Sequence, residues 1–162
     1  AIEYRTCFSA QYVSMQNPAG SERRLSPYAI ISASNRLPVR AYCWDRKAYR
    51  DFVLSRFRSS PKLMEKSQSE PPADNDWGQT LEIALTVNPA LTREQQELIT
   101  ADYGLESLKP FEIRKALIGY FLQANLLPST QTELSEAKEY PERFPLLPIE
   151  SNSGQSVIGY AF

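Results

Sequence analysis

Between residues 59 and 76 the chain offers almost nothing to a core. Ser59-Ser60-Pro61 opens the stretch and Glu70-Pro71-Pro72-Ala73-Asp74-Asn75-Asp76 closes it, with three prolines and few apolar residues. Proline fixes φ and removes a backbone donor, so such a segment serves as a linker or an exposed crossover. A chain of 162 residues is long enough for one ordinary domain or two small ones. With this break in it, two units are expected: 1–60 and 77–162, joined by 61–76. Charge changes sign at the same place. Residues 1–60 carry ten Lys/Arg against four Asp/Glu, and 61–162 carry eight against fifteen. A basic half beside an acidic half suggests different partners. The basic half could meet an anion such as a nucleotide or nucleic acid, or could be an ordinary solvated surface.

The first half patterns as β-structure. Strands are expected over Ala1–Gln11, Arg23–Ala33, Leu37–Trp44 and Tyr49–Phe57. The turn residues Asn17-Pro18-Ala19-Gly20-Ser21, Ser34-Asn35 and Asp45-Arg46-Lys47 separate them. Short strands at this spacing make a small barrel or a strongly bent sheet. The strand pattern has already begun at Ala1, so an N-terminal part is expected to precede it.

Beyond the break the pattern becomes α/β. Leu81, Ile83, Leu85 and Val87 alternate along a strand, Thr80–Val87, which Asn88-Pro89 ends. Thr92 with Gln95 three residues on fits a capping box, and Gly104 suits the position just past the helix end at Tyr103. A second helix is expected to start at Pro110, with Phe111, Arg114, Leu117, Ile118, Phe121 and Leu126 along it, and to stop at Pro128. A short helix over Thr132–Lys138 and a Pro-rich tail follow. The tail either covers its own unit or packs on another subunit.

Catalysis has little to work with. The chain contains no histidine, so no Ser-His or Cys-His pair can form within it. Its two cysteines, Cys7 and Cys43, lack C-x-x-C spacing, sit in strand patterns and are expected to pack as small apolar groups. No cofactor or metal is expected. Glu94 and Glu97 suit a solvated helix face. No apolar run is long enough to span a membrane and no leader is visible, so a cytoplasmic location is expected.

The third strand carries the more specific signal. Period-two alternation puts Leu37, Val39, Ala41 and Cys43 on a core face, with Arg36, Arg40 and Tyr42 on the other. Two guanidinium forks beside an aromatic ring suit phosphates or nucleobases, although an outward face with surface arginines has the same pattern. In the fourth strand, Arg50 and Arg56 share a face with Phe52 and Leu54, as rim residues or as partly buried cations. Asp51 could pair with such a cation across strands.

Leu37-Pro38-Val39-Arg40-Ala41-Tyr42 and Arg50-Asp51-Phe52-Val53-Leu54-Ser55-Arg56-Phe57 together resemble the WYL domain. Its naming triad is replaced here by Leu37-Pro38-Val39. Ile2-Glu3-Tyr4 and Arg24-Leu25-Ser26-Pro27-Tyr28 look like the preceding WYL strands. Trp77, the 81–87 strand, Glu97–Gly104, Arg114–Leu117 and Tyr120-Phe121-Leu122 look like the C-terminal extension of the same regulators. The likeness covers about residues 1–127 and is greatest to regulators of BREX/CBASS-type anti-phage islands. In that subgroup a histidine often stands where this chain has Pro38.

The resemblance implies an α+β protein: a small Sm-like, SH3-type β-barrel that senses a ligand, then a small α/β extension that forms a homodimer. It implies a non-enzymatic transcription regulator, a repressor, that binds a nucleotide or nucleic-acid fragment in a basic pocket. Promoter DNA would be read by a winged helix-turn-helix preceding residue 1. Carried over by position, the pocket residues are Arg36, Arg40, Tyr42, Arg50, Arg56, Tyr4 and Ser9. Two other readings stay open: a constitutive Sm-like nucleic-acid-binding module, and a purely structural interaction domain.

Overall fold

The computed structural model describes residues 6–33, 36–64 and 70–160. The chain divides into two units, Ala1–Ala73 and Asp74–Phe162. The first is an antiparallel sheet of strands β1 (Phe8–Ser14), β2 (Asn17–Ile30), β3 (Pro38–Cys43), β4 (Ala48–Val53) and β5 (Lys62–Leu63). Their order is β4-β3-β2-β1-β5. Period-two alternation sends Phe8, Ala10 and Tyr12 of β1, Val39, Ala41 and Cys43 of β3, and Phe52 of β4 into one core, with Leu25 of β2. Tyr12 also bridges to Phe57, just beyond β4, and its ring meets Phe52 edge-on at 5.1 Å between centroids. These contacts join β1 to the end of β4 although β2 and β3 lie between them, so the sheet is strongly bent. Among the described residues it is not a closed barrel.

Several local expectations change. The turn between β1 and β2 falls at Met15-Gln16, because Ser14 pairs with Asn17. The expected turn cluster at 17–21 therefore lies inside β2. Gly20 serves it by taking φ +83 beside a break in the register of β1, where an added Cβ would sit 3.1 Å from Val13. The fourth strand ends at Val53, and Leu54–Arg56 form a 3-10 turn, so Leu54 and Arg56 leave the alternation that was to place them beside Phe52. Leu37 precedes β3 and is exposed rather than in the core. Lys62–Leu63, within the segment read as a linker, pairs with Ser9 and Phe8.

The second unit begins with a one-turn helix α1 (Asn75–Gly78). Its sheet has the order β7-β6-β8, with β6 (Thr80–Val87) central, β7 Phe111–Arg114 and β8 Leu146–Glu150. Leu81, Ile83 and Leu85 of β6 join a core built from Ile118, Leu122, Leu127, Leu146, Val157 and Ile158. Helix α2 (Arg93–Tyr103) has the expected capping box, Thr92 with Gln95, and stops at Gly104 with φ 59. The helix expected from Pro110 is a correction. Phe111 and Ile113 pair with Ile83 and Leu81 as strand β7, and helix α3 spans only Ile118–Ala124. A four-residue strand is too short for its alternation to outweigh a proline that also suits a helix start. The Pro-rich tail supplies β8, an edge strand, where buried Pro148 costs the sheet no donor.

Asn88 ends β6 as a fully used buried amide. Its Nδ2 donates to the Ala137 and Phe144 carbonyls at 2.8 and 2.9 Å, and its Oδ1 accepts from Ala90 N–H at 3.1 Å. Helix α4 (Gln131–Glu139) carries a second capping box, Thr130 with Glu133. Glu133 Oε2 accepts from the Ser129 backbone N–H at 2.8 Å, the Ser129 hydroxyl at 2.9 Å and the Thr130 N–H at 3.1 Å. The Ser129 backbone hydrogen bond, foremost among these, holds its carboxyl below the ordinary glutamate value. A carboxyl depressed in the folded state stabilises the fold above its unfolded pKa, and that contribution is lost as pH falls through the folded one. Glu133→Gln is therefore expected to lower stability near neutral pH by about 1 kcal/mol and to flatten the acid limb of the profile. Denaturant melts from pH 7 down to pH 3 check this; an unchanged acid limb contradicts it. Among the described residues, no helix is long and apolar enough to cross a membrane.

Candidate functional site

The candidate site lies on the face of the first sheet that turns away from its core. Arg40 and Tyr42 alternate with core residues Val39, Ala41 and Cys43, so they project to the opposite side, as the sequence predicts. Both are buried nonetheless: Arg40 is 6% exposed and Tyr42 8%. The strand register supplies their surroundings. Arg40 stands opposite Asp51, and Tyr42 lies between Tyr49 on β4 and Ser26 on β2. The Arg40 guanidinium donates to Asp51 Oδ1 at 3.1 Å and lies 5.8 Å from the Tyr49 ring centroid. The Tyr42 ring meets Tyr49 at 5.3 Å and Trp44 at 5.0 Å, both edge-on. Tyr28, half-exposed, meets Tyr49 at 6.1 Å. Trp44 Nε1 donates to Ser26 Oγ at 2.8 Å, and the Tyr49 hydroxyl donates to the Pro72 carbonyl at 2.8 Å. A buried cation thus lies beside Tyr49, whose ring in turn meets Tyr42 and Tyr28, with Trp44 packed on Tyr42.

A second ion pair braces this face. The turn residue Asp45 takes Arg24 Nε on Oδ1 and the Arg24 backbone N–H on Oδ2, both at 2.9 Å. Burial pushes the Asp45 carboxyl up, but the Arg24 hydrogen bonds outweigh it and hold the group below its ordinary value. Ser9 stands opposite Arg24 on one side and Lys62 on the other, so a hydroxyl sits between two basic residues. Cys7 is buried nearby, and that burial pushes its thiol up. The arrangement thus offers cationic and hydroxyl donors beside aromatic edges.

The predicted set separates on this framework. Arg40, Tyr42 and Ser9 share the face. Arg50 is the register partner of Ala41, so it projects toward the core side of the edge strand and is exposed there. Arg56 sits half-buried in the 3-10 turn beyond β4, outside the sheet. Arg36 is exposed and bridges to Ala33 ahead of β3. Tyr4 lies outside the described residues. Sequence reasoning missed Tyr28, Trp44 and Tyr49. The alternation of Tyr49 and Asp51 against Phe52 was the available signal, and it needed the β3–β4 register to be used. In the second unit, a recess of about 860 Å³ along α2 is lined by Arg93, Gln96, Glu97 and Thr100 among others. Arg93 and Glu97 form an exposed i,i+4 pair, so this recess has a solvated wall and no buried charge.

Known proteins match both units. The WYL domain family matches residues 1–60, and the family described as BrxR transcriptional regulator, C-terminal dimerization domain, matches residues 80–143. The DNA-binding transcriptional repressor CapW of Pseudomonas aeruginosa is 40% identical over 117 residues, covering 71% of this chain and 39% of that one. CapW of Escherichia coli (strain KTE188) is 36% identical over 143 residues, covering 86% and 46%. CapW of Stenotrophomonas maltophilia is 30% identical over 124 residues, covering 76% and 42%. The chain spans less than half the length of these relatives.

Proposed function

We propose, from the premise that this chain belongs to the WYL-domain regulators that carry a BrxR-type C-terminal dimerization domain, that it is the ligand-sensing and homodimerising part of a transcriptional repressor of phage defence. It binds and does no covalent chemistry. Its ligand is a nucleotide or nucleic-acid fragment, taken up on the Arg40–Tyr42 face of the first sheet. We read that sheet, bent onto itself through Tyr12 and Phe57, as the Sm-like, SH3-type barrel of the family. The observation that carries the ligand reading is the burial of Arg40 beside Tyr49, whose ring packs on Tyr42. A guanidinium is costly to bury, and guanidinium with aromatic rings is the set that meets phosphate and base together. The names of the CapW relatives support DNA binding by the whole protein. That contact is assigned to a winged helix-turn-helix outside these residues. Ligand binding would then bias the dimer toward one geometry and so change promoter affinity.

The test is fluorescence anisotropy with a labelled single-stranded DNA hexamer and a labelled RNA hexamer, at two salt concentrations. Arg40→Gln is expected to weaken binding about tenfold or more, the usual cost of losing a charged hydrogen-bonding group in a binding site. Raising salt should weaken binding to the wild type. Equal binding by wild type and variant would remove Arg40 from the site.

A further inference from the structure

The buried cation of this site already has an anion within its own chain. Arg40 lies on inner strand β3 with 7% of its side chain exposed, and its partner Asp51 lies on edge strand β4 with 19% exposed. A ligand phosphate approaching the Arg40 guanidinium therefore arrives where a carboxylate stands, and two anions on one guanidinium repel. We infer that Asp51 is the resting counter-ion of Arg40 and that ligand uptake is an anion exchange, in which the ligand's phosphate takes the guanidinium and the Asp51 carboxylate turns out to solvent. The inference rests on the ligand reading above and adds how the site is kept closed to weak anions.

Two features favour exchange over a permanent pair. The carboxylate is the more exposed partner and sits on the edge strand, so it has somewhere to go. The guanidinium stays placed without it, because Tyr49 flanks it at 5.8 Å and is itself tied to the Pro72 carbonyl. A buried guanidinium needs an anion at all times. The empty site takes it from Asp51 and the filled site from the ligand, so Asp51 sets the threshold that a ligand must exceed.

Asp51→Asn keeps an oxygen for Arg40 and removes the charge. In the full chain it is expected to bind the labelled single-stranded DNA hexamer about tenfold or more tightly than wild type, because a close like charge has been removed. Asp51→Glu, which keeps the charge, should stay as weak as wild type. Inorganic phosphate should raise the melting temperature of Asp51→Asn more than that of wild type, since it supplies the missing anion to the folded state. Asp51→Ser carries the same comparison should Asp51→Asn fail to fold. Binding by Asp51→Asn that is no tighter than wild type, with Arg40→Gln still weakening it, overturns the exchange and leaves the site standing. Binding that Arg40→Gln does not weaken, or no binding by any variant, overturns the site and the exchange together.

Discussion

Replacing Asn88 with alanine is expected to destabilise the second unit by about 3–5 kcal/mol, the sum expected when several buried hydrogen bonds lose a shared partner. Asn88 is 2% exposed and its amide group is fully used. The two donors hold the Ala137 carbonyl at the end of α4 and the Phe144 carbonyl ahead of β8, and the oxygen takes the Ala90 N–H beyond β6. Its backbone N–H also donates to the Pro145 carbonyl at 2.8 Å. One side chain thus joins three segments that are far apart in sequence. Alanine leaves two buried carbonyls facing an apolar hole. Asn88→Asp should be no better, because a carboxylate sets oxygens against those same carbonyls. The two tryptophans, Trp44 and Trp77, fall one in each unit. Denaturant unfolding followed through Trp77 in a Trp44→Phe background reads the second unit alone. A loss below about 1 kcal/mol, the size of an ordinary surface change, would contradict the account.

In the first unit, Tyr12→Ala is expected to cost about 3–5 kcal/mol, as for other buried aromatic truncations. Tyr12 is 8% exposed and meets the rings of Phe52 and Phe57, both at 5.1 Å. Its hydroxyl oxygen accepts the Val53 N–H at 3.1 Å, at the end of β4. It is the side chain through which the bent sheet holds β1 to the far end of β4. Tyr12→Phe should lose only about 1 kcal/mol, because it keeps the rings packed and leaves one N–H without its acceptor. Unfolding followed through Trp44 in a Trp77→Phe background separates the two variants. Equal losses would mean that the hydroxyl, not the ring packing, carries the contact.

Local chemistry made the helix caps readable. Thr92, Gln95 and Gly104 each act within a few residues of their own position, so the ends of α2 could be placed from sequence. Alternation likewise placed Val39, Ala41 and Cys43 in the core and sent Arg40 and Tyr42 to the other face. Cross-strand register was not readable. It decides that Arg40 faces Asp51, that Tyr49 lies beside Tyr42, and that Arg50 sits across from Ala41 on the wrong side for the site. The Phe52 rule already contained that last answer: a residue sharing a face with Phe52 shares it with the core, not with Arg40. Arg56 was misplaced because the chain leaves the strand for a 3-10 turn after Val53. The β7 segment was missed because its partner, Leu81–Ile83, lies about thirty residues earlier in the chain.

The ligand face proposed above carries its own reporter. Trp44 touches Tyr42 at 5.0 Å and donates to Ser26, so its indole is part of the wall that a ligand would contact. The most direct measurement is Trp44 emission in a Trp77→Phe background, titrated with the single-stranded DNA hexamer while anisotropy follows binding in the same samples. Binding with a saturable change in Trp44 emission, both shifted to higher hexamer concentration in Arg40→Gln, is the result predicted here. Binding that leaves Trp44 emission unchanged would place the ligand elsewhere and contradict the assignment of this face.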